Sequence, residues 1–208
     1  MKRLIFFTIS LLLPALAAPM TASAAAPLEG KVVALDAGHG GTDPGAVNSN
    51  PENPIYEKDQ ARAVVDILKG KLEQDGAKVI DIRPADETTG LQERAARANA
   101  AGADISISVH HNSADPSVNG TETYFADAGG QKLAAALNGR LCAGLGTQDR
   151  GVKQEVGFVL TRVPTMPSVI TEASFVTNDE EAKKFTQDDR AAVEADCLYQ
   201  GIQDYFSA

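Results

Sequence analysis

Short apolar runs alternate with longer amphipathic segments along most of the chain. Runs rich in β-branched residues predict strands, and apolar residues spaced three and four positions apart predict helices. The predicted strands are KVVALDA (31–37), KVIDI (78–82), ISISVH (105–110), TETYF (121–125), GFVL (157–160) and SVITEAS (168–174). The predicted helices cover 56–74, 89–101, 130–145 and 189–205. This alternation predicts an α/β fold, a single domain with a mostly parallel central sheet of about six strands and helices on both faces.

The hydrophobic pattern also places individual elements within that fold. KVVALDA and ISISVHH contain few polar residues, which is typical of central strands that helices cover on both faces. One helix carries an apolar stripe formed by Ala61, Val64, Val65, Leu68 and Leu72. The last helix repeats the pattern with Val193, Cys197, Leu198, Gly201, Ile202 and Tyr205. Both stripes are expected to face the core.

The N-terminus has the pattern of an export signal. Two basic residues precede an apolar run over 4–18, and small residues follow up to Ala24. A membrane anchor is the alternative, but the run is shorter than the ~20 residues of a spanning helix and contains Pro14. We therefore predict a signal peptide over 1–24, one folded domain over 25–208 and no membrane span after cleavage. The expected location is the periplasm, the cell wall or the outside of the cell.

Composition narrows the range of partners. The chain carries a formal net charge of −9 and shows no basic patch, so we expect no nucleic acid as a partner. Two cysteines, Cys142 and Cys197, are too few for a disulfide scaffold and lack the spacing of a structural zinc site. They could bridge each other in an oxidising compartment or remain buried thiols, and the sequence leaves both open.

All three histidines lie where predicted strands end. His39 follows KVVALDA, and His110 and His111 end ISISVHH. In open α/β sheets ligands bind outside the carboxyl ends of the strands, so these side chains are expected at one crevice. A single histidine is more often structural, but glycines on both sides of His39 also allow an ion or substrate to approach closely. Two histidines and a carboxylate would form a catalytic zinc site with an open position for water.

The carboxylate of such a site does not follow from the pattern alone. Glu57 begins a predicted helix, and Glu172 lies at the end of the apolar strand SVITEAS. Acidic residues favour helix N-termini for electrostatic reasons, which is the structural explanation of Glu57. A buried glutamate on a strand is costly unless it has a partner. Both residues remain candidates, as a ligand or as a catalytic group.

An ordered set of segments gives the chain a resemblance to a known family. The segments are VVALDAGHGGTDPGA, YEKD, LQERAARAN, ISISVHHNS, RGVKQ and MPSVITEASFVTNDEEA. In order and spacing they resemble the zinc-dependent N-acetylmuramoyl-L-alanine amidase family, with its phosphorylase/hydrolase-like catalytic domain. The resemblance implies His39, Glu57 and His110 as ligands of one Zn²⁺ per chain, and Glu172 as the catalytic carboxylate. Residues 25–208 would then be the catalytic domain.

Three neighbouring residues are candidates for supporting contacts. The family motif of histidine, a variable residue and asparagine puts His110 at the ligand position and His111 at the variable one. Strand alternation agrees, because adjacent side chains point to opposite faces. Asp36, His111 and Asn112 are candidates for contacts to the ligands or the substrate, since ligating imidazoles usually donate their other nitrogen to an oxygen.

The activity that the resemblance implies is hydrolysis of the amide bond between the lactyl group of N-acetylmuramic acid and L-alanine in peptidoglycan. Peptidoglycan is therefore the expected partner, and any activating protein is unidentified. Two alternatives stay open. One is another zinc amidohydrolase or peptidase on a similar sheet, and the other is a wall-binding protein that keeps the fold without the chemistry.

Overall fold

The computed structural model describes residues 27–48, 54–187 and 189–208, so the predicted signal peptide over 1–24 lies outside the described residues. The strands of the described residues are β1 (Val32–Ala37), β2 (Val47–Asn48), β3 (Ile55–Tyr56), β4 (Lys78–Asp81), β5 (Ile105–Asn112), β6 (Thr121–Phe125), β7 (Asp149–Gln154) and β8 (Ser168–Phe175). The helices are α1 (Glu57–Gln74), α2 (Leu91–Ala101), α3 (Ala128–Leu145), α4 (Val159–Arg162), α5 (Asp179–Phe185) and α6 (Arg190–Ser207). None of these helices has the length and apolar character needed to cross a bilayer.

The longer strands form one central sheet in the order β4-β1-β5-β8-β6-β7. Neighbouring strands run parallel, except that β6 is antiparallel to β8. The short strands β2 and β3 pair with each other outside this sheet. The predicted single α/β domain with a mostly parallel six-stranded sheet is confirmed, and β1 and β5 lie inside the sheet as expected.

Helices cover the two faces of the sheet unequally. The long helices α1, α3 and α6 pack together on the first face, where apolar residues at alternate positions of β1, β5 and β8 complete the main core. The apolar stripes predicted for α1 and α6 pack into or against this core. On the second face, α2 packs against β1, and the short helix α4 contacts β8 and β6. The second face carries the functional side chains described below.

One predicted strand was wrong, and one strand of the central sheet was not predicted, nor were the short strands β2 and β3 outside it. GFVL (157–160) is not a strand, because its second half begins α4. An apolar run of four residues fits a strand and a short buried helix equally well, so the pattern alone did not separate them. The missing sheet strand is β7, with the polar sequence DRGVKQ. It lies at the edge of the sheet, where burial imposes no apolar pattern.

Both cysteines are free thiols. Cys197 is buried in the main core, as the helical pattern predicts, and Cys142 on α3 is partly exposed. Burial raises the pKa of Cys142 to about 11, and it also raises the pKa of Cys197. Both thiols therefore stay protonated and unreactive at neutral pH. Of the two alternatives left open by the sequence, the fold favours unpaired thiols.

Candidate metal centre

Polar side chains form a row across the second face of the sheet, towards the carboxyl ends of β5 and β8. His110 on β5 is the Cα partner of Glu172 on β8, and Glu172 is the Cα partner of Glu122 on β6. Paired residues of neighbouring strands project to the same face, so these three side chains lie side by side. His39 follows β1 and lies next to His110. The fold thus brings the strand-end residues together.

Three donor atoms converge at one end of this row. His39 Nε2 lies 3.1 Å from His110 Nδ1, and Glu57 Oε1 lies 3.0 Å from the former and 2.8 Å from the latter. A tetrahedral zinc ion, with bonds of about 2.0 to 2.1 Å, holds its nitrogen and oxygen ligands about 3.3 Å apart. The triangle is close to this spacing, so the three residues form a candidate metal site.

The loop around His39 requires glycine at two positions. A Cβ atom at Gly38 would lie 2.4 Å from the His110 ring, and one at Gly45 would lie 2.5 Å from Glu57 Oε2. Both distances are too short for any side chain, so only glycine leaves room for the donors. His39 itself has a φ of +60°, a left-handed conformation that is costly for a residue with a side chain. Contacts around the loop have to hold it in place.

Two buried arginines supply part of that restraint. Arg94 donates to the carbonyl oxygen of His39 and, at 2.9 Å, to that of Ala37. Arg83 also donates to the carbonyl oxygen of Ala37, at 2.8 Å, and to that of Gly38 at 3.3 Å. Hydrogen bonds from charged donors are stronger than those between neutral groups, so this pair fixes the loop backbone.

Asp36 balances the charge of one of these arginines and does not touch an imidazole. Its Oδ1 accepts a hydrogen bond from Arg94 at 2.8 Å, and its Oδ2 accepts one from Ser108 at 2.6 Å. Asp36 and Arg94 are both buried, and a buried ion pair of this kind needs its remaining polar atoms satisfied. The predicted contact of Asp36 with the ligands is therefore indirect, through Arg94 and the backbone of His39.

A carboxylate that sequence reasoning missed contacts His39 directly. Asp43 Oδ2 lies 2.9 Å from His39 Nδ1, while Nε2 of the same ring points at Glu57 and His110. Carboxylates in this position fix the tautomer and the orientation of a ligating imidazole. The available signal was an acidic residue four positions after His39 in the same glycine-rich loop.

Glu57 is almost fully buried and depends on its hydrogen-bond donors. Besides the imidazoles, its Oε1 accepts from the backbone N–H of His111 at 3.0 Å, and its Oε2 accepts from that of Ala46 at 2.7 Å. Burial alone would raise the pKa of Glu57, but the hydrogen bonds and charges of His110 and His39 outweigh it and hold the pKa far below its ordinary range. Burial alone would lower the pKa of His39, but the hydrogen bond and charge of Glu57 outweigh burial, so the pKa of His39 is raised. Glu57 is therefore an anion placed to hold a cation.

Glu172 lies beside the three donors and is not satisfied in the same way. Among the described residues, nothing donates a hydrogen bond to its Oε2, which is buried although part of the side chain is exposed. Burial, followed by the charges of Glu57, Glu122 and Glu194, raises the pKa of Glu172 well above its ordinary value of 4.5. An unpaired carboxyl group with a raised pKa beside a candidate metal site has the properties of a general acid or base.

The two other predicted contact residues take different positions. The His111 side chain points to the first face, where its Nε2 lies 3.1 Å from Glu194 Oε2, and Arg190 donates to the same oxygen at 2.5 Å. His111 therefore reaches the site through its backbone, because strand alternation turns its ring away. Asn112 lies on the second face and donates to Glu122 at 2.9 Å, so it supports a neighbouring carboxylate.

Comparison with known proteins adds the family. Residues 33–204 match the family model described as N-acetylmuramoyl-L-alanine amidase. The chain is 41% identical over 189 residues to the uncharacterized protein YqiI of Bacillus subtilis, covering 89% of each chain. It is 35% identical over 185 residues to the N-acetylmuramoyl-L-alanine amidase LytC of Bacillus subtilis, covering 86% of this chain and 36% of LytC.

A solved structure agrees with the sequence match. The catalytic domain of CwlV, an N-acetylmuramoyl-L-alanine amidase from Bacillus (Paenibacillus) polymyxa var. colistinus, is 31% identical and has a TM-score of 0.80, covering 85% of this chain and 98% of that domain. The chain belongs to the N-acetylmuramoyl-L-alanine amidase family, and it is an enzyme of that class.

Replacing Asp43 by alanine is expected to weaken metal binding. The change removes the oxygen that orients the His39 ring, and losing such a contact typically lowers metal affinity by about 10- to 100-fold. Competition with a chromogenic chelator for Zn²⁺ measures this affinity. Asp204→Ala, which removes an exposed aspartate that pairs with Arg140 on the surface, is the matched control and should bind as the wild type does. Equal affinities of the two variants would contradict the role of Asp43.

Replacing Glu194 by glutamine is expected to change how stability depends on pH. Burial alone would raise the pKa of Glu194, but His111 and Arg190 lower it to about 2, below its unfolded value near 4.5. A depressed pKa stabilises the fold above the unfolded pKa, and this stabilisation is lost as the pH falls from about 4.5 towards 2. Urea unfolding should therefore show Glu194→Gln much less stable than wild type at pH 7, with a smaller difference at pH 3. A difference that stays constant between these pH values would refute the assignment.

Proposed function

We propose that the protein hydrolyses the amide bond between the lactyl group of N-acetylmuramic acid and L-alanine in peptidoglycan, with one zinc ion per chain as cofactor. Family membership supports the reaction class. The observation that carries the residue assignment is the convergence of His39 Nε2, Glu57 Oε1 and His110 Nδ1 beside Glu172.

The three donors suit zinc by number and by type. Two imidazole nitrogens and one carboxylate oxygen are a common ligand set of catalytic zinc sites, and they leave a fourth position for water. The single negative charge of Glu57 offsets part of the charge of a divalent ion, and Asp43 adds a second carboxylate behind His39. Magnesium and calcium prefer sites built mainly from oxygen, so the two imidazoles favour zinc.

When bound, the ion lowers the pKa of a water molecule and polarises the scissile carbonyl. Glu172 Oε2 has no hydrogen-bond donor among the described residues, so it would be free to accept the proton of the attacking water and to deliver a proton to the amine nitrogen of L-alanine as the bond breaks. The negative charge of Glu57 is one of the causes that raise the pKa of Glu172. Glu57 would raise the pKa of Glu172 less once its charge is offset by a bound cation, so Glu172 would then be nearer to the range in which it can act as a base.

We propose further that residues 1–24 direct export and are removed, and that residues 25–208 act at the cell wall. The basic residues, apolar run and small residues of the N-terminus support export. A substrate outside the membrane requires it, because an enzyme can cut peptidoglycan only where the polymer is.

The variant Glu172→Gln is expected to keep Zn²⁺ binding and lose turnover. Glutamine has the same shape but cannot accept the proton, so kcat should fall by about 10²- to 10⁴-fold. Release of peptides with N-terminal L-alanine from purified sacculi, measured by mass spectrometry, reports the reaction. Glu180→Gln on α5, which removes an exposed carboxylate paired with Lys183, should retain wild-type turnover.

The same assay separates the alternatives. Cleavage only between amino acids of the stem peptide would identify a peptidase, and binding to sacculi without cleavage would identify a wall-binding protein. Full turnover by Glu172→Gln would overturn the catalytic assignment. Chelation should abolish activity and added Zn²⁺ should restore it.

Export is expected to yield a mature protein that begins at Ala25. Signal cleavage requires small side chains at the first and third positions before the cut and tolerates others between them, so Ala24→Arg should block processing. Ser23→Arg places the same side chain one position earlier and is the matched control, which should still be processed. Intact mass of the exported protein measures the outcome, and processing of Ala24→Arg at the same site would refute the predicted boundary.

A further inference from the structure

A group of charged side chains extends the polar row beyond Glu172. Arg150 and Lys153 on the edge strand β7 both reach the same oxygen, Glu122 Oε2, with Arg150 Nε at 2.7 Å and Lys153 Nζ at 2.5 Å. We call Arg150 and Lys153 the cation pair. Sequence reasoning treated the RGVKQ segment as a family motif and gave these residues no role.

Register places the cation pair close to the catalytic carboxyl group. Glu122 is the Cα partner of Glu172, and the neighbouring positions Thr121 and Thr123 of β6 pair with β7. Neighbouring strands lie about 4.8 Å apart, so β7 runs about 10 Å from Glu172 along the row. An extended peptide advances about 3.3 Å per residue, and the side chains of arginine and lysine shorten the gap further. A substrate residue one or two positions from the scissile bond therefore falls within reach of the cation pair.

Glu122 is already saturated by protein donors. Its Oε1 accepts hydrogen bonds from Asn112 at 2.9 Å and from the Tyr124 hydroxyl at 2.5 Å, and its Oε2 accepts hydrogen bonds from both members of the cation pair. Burial alone would raise the pKa of Glu122, but hydrogen bonds from Lys153, Tyr124 and Arg150 lower it to about 2. Glu122 is thus a permanent anion that fixes the two cations in place.

The cation pair carries more positive charge than Glu122 can balance. Among the described residues, Glu122 is the carboxylate that pairs with either of them, so two positive charges meet one negative charge. Glu122 is buried, whereas the side chains of Arg150 and Lys153 are 30% and 38% exposed. One positive charge of this partly exposed pair is therefore not balanced by a carboxylate, in a protein whose formal net charge is −9.

An apolar surface borders the cation pair. The Tyr124 ring packs edge to face against Phe158, with ring centroids 5.1 Å apart, and Phe158 is 41% exposed. Val156 is 58% exposed in the same segment. A ligand with a small apolar part next to an anionic group matches this combination of an apolar wall and a fixed positive charge.

We infer that the cation pair binds a free carboxylate on the peptide side of the scissile bond, so that the enzyme prefers substrates in which an acidic residue follows L-alanine. This inference rests on the proposed function, because it assigns a recognition site to the same reaction. Glu122, Tyr124 and Asn112 act as positioning residues that hold the cations, and Arg150 and Lys153 touch the substrate. The two cations form charge-assisted hydrogen bonds with a carboxylate, whereas a neutral carboxamide cannot satisfy them equally.

Two synthetic substrates test the inference directly. Both are N-acetylmuramoyl dipeptides with L-alanine first and D-glutamate second, and the γ-carboxyl group of the glutamate is blocked as a methylamide in both. The α-carboxyl group is free in one substrate and is a carboxamide in the other, so only the first carries a carboxylate. Wild-type enzyme loaded with Zn²⁺ should cleave the carboxylate substrate with a kcat/KM about tenfold higher or more. The comparison requires no variant, so it does not depend on whether a substituted chain folds.

The variant Lys153→Gln locates the preference. Arg150 remains to pair with Glu122, so the fold should be kept, and KM for the carboxylate substrate should rise until the two substrates are cleaved almost equally. The kcat/KM for the carboxamide substrate should fall by a smaller factor than that for the carboxylate substrate. Lys183→Gln is the matched control, since it also removes a lysine paired with one glutamate, at an exposed site on α5. It should keep the wild-type preference.

The outcomes separate this inference from the proposed function. Equal kcat/KM of the wild type on both substrates, or an equal loss on both in Lys153→Gln, would overturn the inference while hydrolysis itself stands. If Zn²⁺-loaded wild type cleaves neither of these substrates nor sacculi, the proposed function fails and the inference fails with it.

Discussion

Glu57 and Glu172 lie at the same end of the sheet, and the fold provides the two carboxyl groups with different numbers of hydrogen-bond donors. Glu57 receives two imidazoles and two backbone N–H groups, whereas Oε2 of Glu172 receives no donor from the described residues. The first group is thereby kept ionised, and the second keeps a high affinity for protons. Hydrogen bonding thus gives two neighbouring glutamates opposite pKa shifts, as the proposed roles of metal ligand and proton acceptor require.

This arrangement depends on layers of the fold that never touch a substrate. Consecutive histidines on β5 serve opposite faces, so His110 joins the donors while His111 is buried against Glu194 on α6. The backbone N–H of His111 holds Glu57, and the ring of His111 ties the same strand to the last helix. The same short stretch of β5 therefore both positions the donors and contacts α6.

The sequence predicted the parts that obey a repeating pattern. Central strands covered by helices are rich in apolar residues, and a helix against the core must repeat its apolar residues, so β1, β5, α1 and α6 were predictable. The edge strand β7 does not follow this rule, because it has a neighbouring strand on one side only and none of its residues is buried. GFVL was misread for the opposite reason, since its apolar residues are too few to show a period.

Contacts between distant side chains account for the remaining difference. The sequence predicted Asp36 as a contact of the ligands, but only the fold shows that it forms an ion pair with Arg94, 58 positions further along the chain. Asp43 and Glu122 were missed because acidic residues are common in this chain and nothing local distinguishes these two. The resemblance to a family named the donors, and the structure adds the loop strain at His39 and the arginines that hold it.

The reversed direction of β6 has a consequence for how this fold can diverge. Because β6 is antiparallel to β8, β6 begins, at Thr121, at the end of the sheet where Glu172 lies. The edge strand β7 pairs parallel with β6, so it also begins at that end. An edge strand has one hydrogen-bonded neighbour, so exchanging its side chains disturbs the sheet less than exchanging those of an interior strand. The donors lie on or beside interior elements that tolerate little change, and the cation pair lies on an edge strand. Substrate preference can therefore drift in this architecture while the chemistry stays fixed.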